Sequence, residues 1–195
     1  RAAFSDRTFQ RSLRLEETKE HAFCTQCHAP EGDAERGVGC TSCHGGDHAS
    51  PIAARASPSA PHRVTVDAAL SSPSACATCH QFTFDTRYDG RADLVQKTID
   101  EHASSPLAGV SCVECHMPSR DLPSGRPHHD HSFVAGHSPS WIGRSVHVIV
   151  ERAGPDRVHV DIRSDAGHAF PTGDMFRRVK LLLFGDDEQG TIVAS

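Results

Sequence analysis

The chain has little of what an ordinary globular core is made from. Hydrophobic residues make up 37% of its 195 positions and aromatic residues 6%, with one tryptophan and one tyrosine, so a core built from side chains alone is poorly supplied. Apolar runs of the roughly 18 residues that a membrane helix needs are missing, and no membrane span is expected. The basic excess that would suit nucleic acid or an anionic membrane surface is missing too, because the formal net charge is -5. No Ser/His/Asp order, phosphate loop or metal-helix motif occurs, which leaves hydrolytic and kinase chemistry unsupported. With 12 prolines and 15 glycines, composition alone would describe a loop-rich, partly disordered chain.

Spare cysteines are also missing. All eight fall in four CxxCH pentapeptides: Cys24, Cys27 and His28; Cys40, Cys43 and His44; Cys76, Cys79 and His80; Cys112, Cys115 and His116. Composition would yield roughly 0.03 such pentapeptides by chance. Two thiols three positions apart reach the two vinyl groups of one porphyrin, and the adjacent histidine ligates the iron from the same side. A structural zinc site, a disulfide framework or a thioredoxin-like motif gives no reason for histidine to follow every second cysteine. The expected cofactors are four covalently attached haem c groups.

Four apolar porphyrin plates compensate for the thin supply of core side chains, since loops and short helices wrapped around them bury surface without many Leu or Phe residues. Haem propionates make the holoprotein more acidic still. Covalent haem is attached outside the cytoplasmic membrane, so an exported, periplasmic or cell-surface protein is expected, with Arg1 following a removed export signal or a trimmed N-terminus.

The first cysteines lie 16, 36 and 36 residues apart, and a Gly-Val preface precedes both Gly39-Cys40 and Ser111-Cys112. Two di-haem units fit that spacing, with the shared preface read either as internal duplication or as coincidence. Helical periodicity predicts helices over residues 6–20, carrying Phe9 and Leu13, and over 91–102, carrying Leu94, Val95, Ile99 and His102. The small-residue stretch 49–61 reads as a surface connector. Beyond Ser140, Val146, Val148 and Val150, then Val158, Val160 and Ile162, alternate as strands around a turn at 153–156. A third run spans 179–184 and a fourth begins at Thr191, so the sheet is expected to be completed by another chain or by residues past Ser195.

The sixth iron ligand decides what such haems do. Setting aside the four motif histidines leaves 11 of 15 as candidates, ample for bis-histidine ligation and hence low potentials. Methionine is a poor alternative: Met117 follows His116 on the wrong side of its own haem, and only Met175 remains.

The segments GVGCTSCHGGDH, PHRVT, GVSCVECHMP, HDHSF and GHAFPTG, in this order, resemble the bacterial multihaem c-type cytochromes in which a haem domain precedes a β-rich segment with a GHxxPTG motif. The resemblance covers most of the chain. It implies a multihaem cytochrome c fold: a loop-rich, mainly α tetrahaem-binding region over residues 1–139, then a small antiparallel β unit over 140–195 carrying a distal ligand. In such proteins histidines in motifs of these kinds are distal ligands, which here implies His48, His62, His131 and His168.

Each position has a plainer reading. His48 and His62 suit surface loops, and His131 lies in HHDHSF, a run that with His137 suits a stray transition metal. His128, His129 and His137 are fallbacks for His131. His168 is framed by Gly167 and the FPTG turn. His102 and His21 are reserves, although a histidine on an apolar helix face is often simply packed. His147 and His159 alternate within strands and are expected on the polar side.

Three functions follow. The first is electron transfer through four saturated haems, with redox proteins as partners and no substrate. The second is a multihaem oxidoreductase with one open iron, disfavoured by the histidine surplus, the lack of a CxxCK variant and the single Tyr88. The third is a repeating filament subunit, whose partner is another copy of itself. Electron transfer is the expectation, and the chain is not expected to be an enzyme.

Overall fold

Proline and glycine interrupt the chain so often that its elements stay short. The computed structural model describes residues 3–15, 21–45, 50–58, 60–85, 87–121, 127–173, 177–182, 184–186 and 192–194. Among these the longest helix is α1, Arg7–Leu15. Asp6 starts it: its carboxylate accepts from the Phe9 N–H at 2.8 Å, replacing a partner the first turn lacks. No described helix is long and apolar enough to cross a membrane.

Four of the helices coincide with the CxxCH motifs, and each ends at the motif histidine: α2, His21–His28; α3, Thr41–His44; α4, Ser74–His80; and, after α5 (Thr98–Ala103), α6, Cys112–His116. The two Gly-Val prefaces diverge in detail. Gly37 takes a left-handed φ of 72°, whereas Gly109 is not among the positive-φ glycines. The fourth motif also has a side-chain cap, Ser111 accepting from the Val113 N–H, that the second lacks.

The connector 49–61 is mostly irregular where described, but Ile52–Ala53 (β1) pairs in parallel with Thr65–Val66 (β2). The expected helix over 91–102 is a strand followed by a shorter helix. Gln81–Phe84 (β3) pairs antiparallel with Asp93–Lys97 (β4), and only Thr98–Ala103 (α5) is helical. The cause is the turn between the strands, where the Asp85 carboxylate accepts from the backbone N–H groups of Arg87, Asp89 and Gly90 at 3.2, 3.2 and 2.7 Å. That turn commits Leu94 and Val95 to a ladder before a helix can start, and Phe82 and Phe84 then pack against Phe23 at 5.3 and 4.7 Å. A second hairpin joins Ser119–Asp121 (β5) to Pro127–His129 (β6).

Helix α7, Pro139–Ser145, runs directly into Val146–Arg152 (β7). β7 pairs antiparallel with Val158–Ser164 (β8), with Val148 opposite Ile162 and Val150 opposite Val160. One face of this hairpin is apolar, and the other carries His147, His159, Asp161 and Arg163, as period-two alternation requires. The last two strands form a separate pair, Phe184–Asp186 (β9) with Ile192–Ala194 (β10). Among the described residues of the expected third strand over 179–184, only Phe184 is in a strand, since 179–182 is irregular. Strand β10 finds its partner within the chain.

The polypeptide closes little core of its own. Among the described residues the buried hydrophobic side chains reduce to Ala29. The chain exposes 14278 Å², against about 9,000 Å² for a compact monomer of its mass by the usual size scaling.

Candidate functional site

A helix places positions i, i+3 and i+4 on one face. Each short motif helix therefore presents its two thiols and its terminal histidine to the same side. All eight cysteines are free thiols, and the third motif is their meeting point. Cys27 is held down to about 7 by a hydrogen bond with Cys79, against the opposing effects of burial and Cys24, and the same bond pushes Cys79 up. Burial, then the charge and hydrogen bond of Cys112, push Cys76 up to about 11. Cys43 is raised by burial first and then by Cys79. His80 is held below the usual imidazole range by burial first, with electrostatic repulsion from the neighbouring His116, His168 and His28 adding to it.

Two motif histidines face a second imidazole. The rings of His116 and His168 have centroids 6.0 Å apart and planes 13° from parallel. Those of His44 and His131 are 6.1 Å apart at 41°. Imidazoles bound through Nε2 to opposite sides of one metal at about 2.0–2.1 Å have centroids roughly 6–6.5 Å apart. A packed aromatic pair falls in the same range, and the hydrogen bonds fix the tautomer of each ring. His44 Nδ1 donates to the Ile52 carbonyl at 2.8 Å and His116 Nδ1 to that of Val134 at 2.7 Å. His131 Nδ1 donates to the His129 carbonyl at 2.7 Å and His168 Nδ1 to that of Ala169 at 3.0 Å. With Nδ1 donating in all four, each keeps the Nε2 lone pair free, the tautomer a metal ligand needs.

The frame around His168 comes from residues far away in sequence. Glu101 Oε2 accepts from the Ala169 N–H at 3.2 Å and from the Thr172 hydroxyl at 2.8 Å. Thr98 and Thr172 hydroxyls are 2.9 Å apart, and Gln96 Nε2 donates to the Gly173 carbonyl at 2.5 Å. Gly167 packs against the His102 ring and Leu107. A row of side chains from β4 and α5 thus holds the 167–173 loop, tying the segment past residue 140 to the motif region. Polar residues with ordinary local roles in sequence supply this clamp, and only the β3–β4 hairpin brings them to the loop.

The other expected ligands are placed differently. His48 lies outside the described residues, as does Met175. His62 is exposed, its Nδ1 donating to the Arg63 carbonyl at 3.1 Å, and it is not among the histidines whose rings stand opposite a motif histidine. His129 donates through Nδ1 to the Met117 carbonyl at 2.7 Å, and His128 stacks on His131 at 5.2 Å. His137 is exposed. His102 is buried against Gly167. His21 uses Nε2 toward the Leu13 carbonyl at 2.9 Å, the nitrogen that the opposed pairs keep free. His28 packs against Phe9 at 4.5 Å.

Among the described residues no group of three or more His, Cys, Asp or Glu side chains gathers as a metal-ion cluster. A haem iron, whose porphyrin fills four positions, asks for only two protein ligands. The thiol pairs and opposed imidazoles fit that demand. Comparison with family models, curated proteins and solved structures gives no match.

Proposed function

We propose that this chain is an electron-transfer protein, a tetrahaem c-type cytochrome whose haems are mostly bis-histidine and low-spin. The observation that carries the reading is the opposition of His168 to His116 and of His131 to His44, His116 and His44 each ending a CxxCH helix and all four rings having Nδ1 engaged. The haem groups, when bound, supply one-electron chemistry. The residues would do the rest: Cys24 and Cys27, Cys40 and Cys43, Cys76 and Cys79, and Cys112 and Cys115 would tether the groups; His28, His44, His80 and His116 would ligate the irons; His131 and His168 would supply the second ligand of two of them.

An iron held on both sides by histidine has no room for a substrate, and on this reading the chain relays electrons rather than acting as an enzyme. Convergence of the cysteines on the third motif favours short edge-to-edge steps between neighbouring groups, with burial and nearby charge tuning each potential. Its partners are redox proteins. Covalent haem attachment implies an exported protein acting in the periplasm or at the cell surface.

A second reading, a repeating subunit of a cytochrome filament, draws on one observation. Val148, Val150, Val158 and Ile162 line one exposed face of the β7–β8 hairpin, and Val179, Leu181 and Leu182 are exposed nearby in sequence. Electron microscopy of the purified holoprotein separates the two, as polymer or discrete particle. The electron-transfer reading itself is tested by the intact mass: four covalent haems per chain are expected, and a chain without covalent haem when expressed with a haem-attachment system would reject it.

A further inference from the structure

We infer that Gln96 is a positioning residue for His80, its Oε1 becoming the acceptor of the His80 Nδ1 proton when that ring is bound through Nε2. The inference rests on the tetrahaem reading, in which His80 binds iron through Nε2. His44 and His116 each donate Nδ1 to a backbone carbonyl at 2.8 and 2.7 Å. For His80, three observations point instead to a side-chain amide.

The first is register. His80 ends α4 and is followed at once by Gln81, which pairs with Lys97, while Phe82 pairs with Gln96. The ladder thus holds Gln96 beside the third motif. The second is a shared neighbour. Gln96 Nε2 donates to the Gly173 carbonyl, and a Cβ built on Gly173 would lie 3.7 Å from His80 Nδ1. The Nδ1 edge of His80 therefore faces the residue that Gln96 grips. The third is an unmet acceptor: Gln96 is 9% exposed, and its Oε1 is buried with no hydrogen-bond partner.

A buried amide oxygen without a donor costs about 1–3 kcal/mol, which makes its placement informative. The amide cannot simply be flipped, because that would set oxygen against the Gly173 carbonyl. A haem propionate is itself an acceptor and cannot satisfy Oε1. An imidazole N–H can. Donation to Gln96 strengthens the imidazole as a ligand and favours the oxidised iron, lowering the potential of that haem relative to one with an unbonded Nδ1–H.

The test compares the wild-type holoprotein with Gln96→Leu and Gln96→Glu, using covalent haem count, a redox titration that resolves four potentials, and the His80 Nδ1 proton resonance in the reduced, diamagnetic state. The inference expects four haems in all three proteins. It expects one potential to rise in Q96L and the same one to fall in Q96E, with the Nδ1 proton moving upfield in the first and downfield in the second. An Nδ1 resonance that stays in place in both variants, or moves the same way in both as loss of the Gly173 anchor alone would cause, overturns it. A wild-type chain without haem would instead overturn the tetrahaem reading on which it stands.

Discussion

His168 stands opposite His116 with ring centroids 6.0 Å apart and planes 13° from parallel, though 52 positions separate them in the sequence. His116 reaches that point from the end of a CxxCH helix, and His168 from a loop clamped by Glu101, Thr98 and Gln96. Both turn Nδ1 to backbone carbonyls. Two imidazoles opposed at this distance, each with Nδ1 engaged, are the pair we propose as the ligands of one haem iron.

Replacing His168 by Ala should therefore convert one haem of four to high spin and let it bind carbon monoxide when reduced. Visible and electron paramagnetic resonance spectra check this, and an unchanged low-spin spectrum would remove His168 as a ligand.

His131 should behave likewise for the haem tethered by Cys40 and Cys43, because its ring lies 6.1 Å from that of His44. His131→Ala is expected to give one high-spin haem, and His137→Ala none. Low-spin spectra from His131→Ala, or a high-spin haem from His137→Ala, would shift the assignment within the HHDHSF run.

The grouping of two thiols and a histidine at each motif was legible in the sequence because CxxCH spacing is local: positions i, i+3 and i+4 share a helix face wherever a helix forms. The β7–β8 hairpin was legible for the same reason, and His147 and His159 lie on its polar face as alternation requires. Residues 91–97 were misread as helix because Leu94, Val95 and Ile99 satisfy a helical period, while the Asp85 turn and pairing with β3 decide the outcome. The clamp on His168 left no local trace at all. Glu101, Thr172 and Gln96 look like surface residues until the hairpin brings residues some 70 positions apart into hydrogen-bond range.

Loosening that clamp should weaken the fold before it changes the haem. Glu101→Ala removes an acceptor serving two donors and should cost on the order of 1–3 kcal/mol, whereas Glu101→Gln, which keeps an acceptor oxygen, should cost less. Denaturant unfolding of the two variants gives the comparison, and equal stabilities would argue against the clamp.

Acid should loosen the link between the first two motifs. Glu31 Oε1 accepts from the Ser42 N–H at 2.8 Å and the Ser42 hydroxyl at 2.9 Å. A Cβ on Gly39 would collide with its carboxylate. Hydrogen bonds from Thr41 and then Ser42 hold the Glu31 carboxyl below its ordinary value of 4.5. A depressed carboxylate binds its proton more readily when unfolded, so its stabilisation is present above about 4.5 and lost as pH falls through the folded value. Stability should thus drop more steeply below that pH in the wild type than in Glu31→Gln, and parallel pH profiles would contradict the assignment.

Carbon monoxide reports on the axial saturation of every iron at once. Added to the fully reduced holoprotein at neutral pH, it should leave the visible spectrum of all four low-spin haems unchanged. A shifted Soret band from even one haem would mean an open iron, contradicting the saturated electron relay and favouring an oxidoreductase.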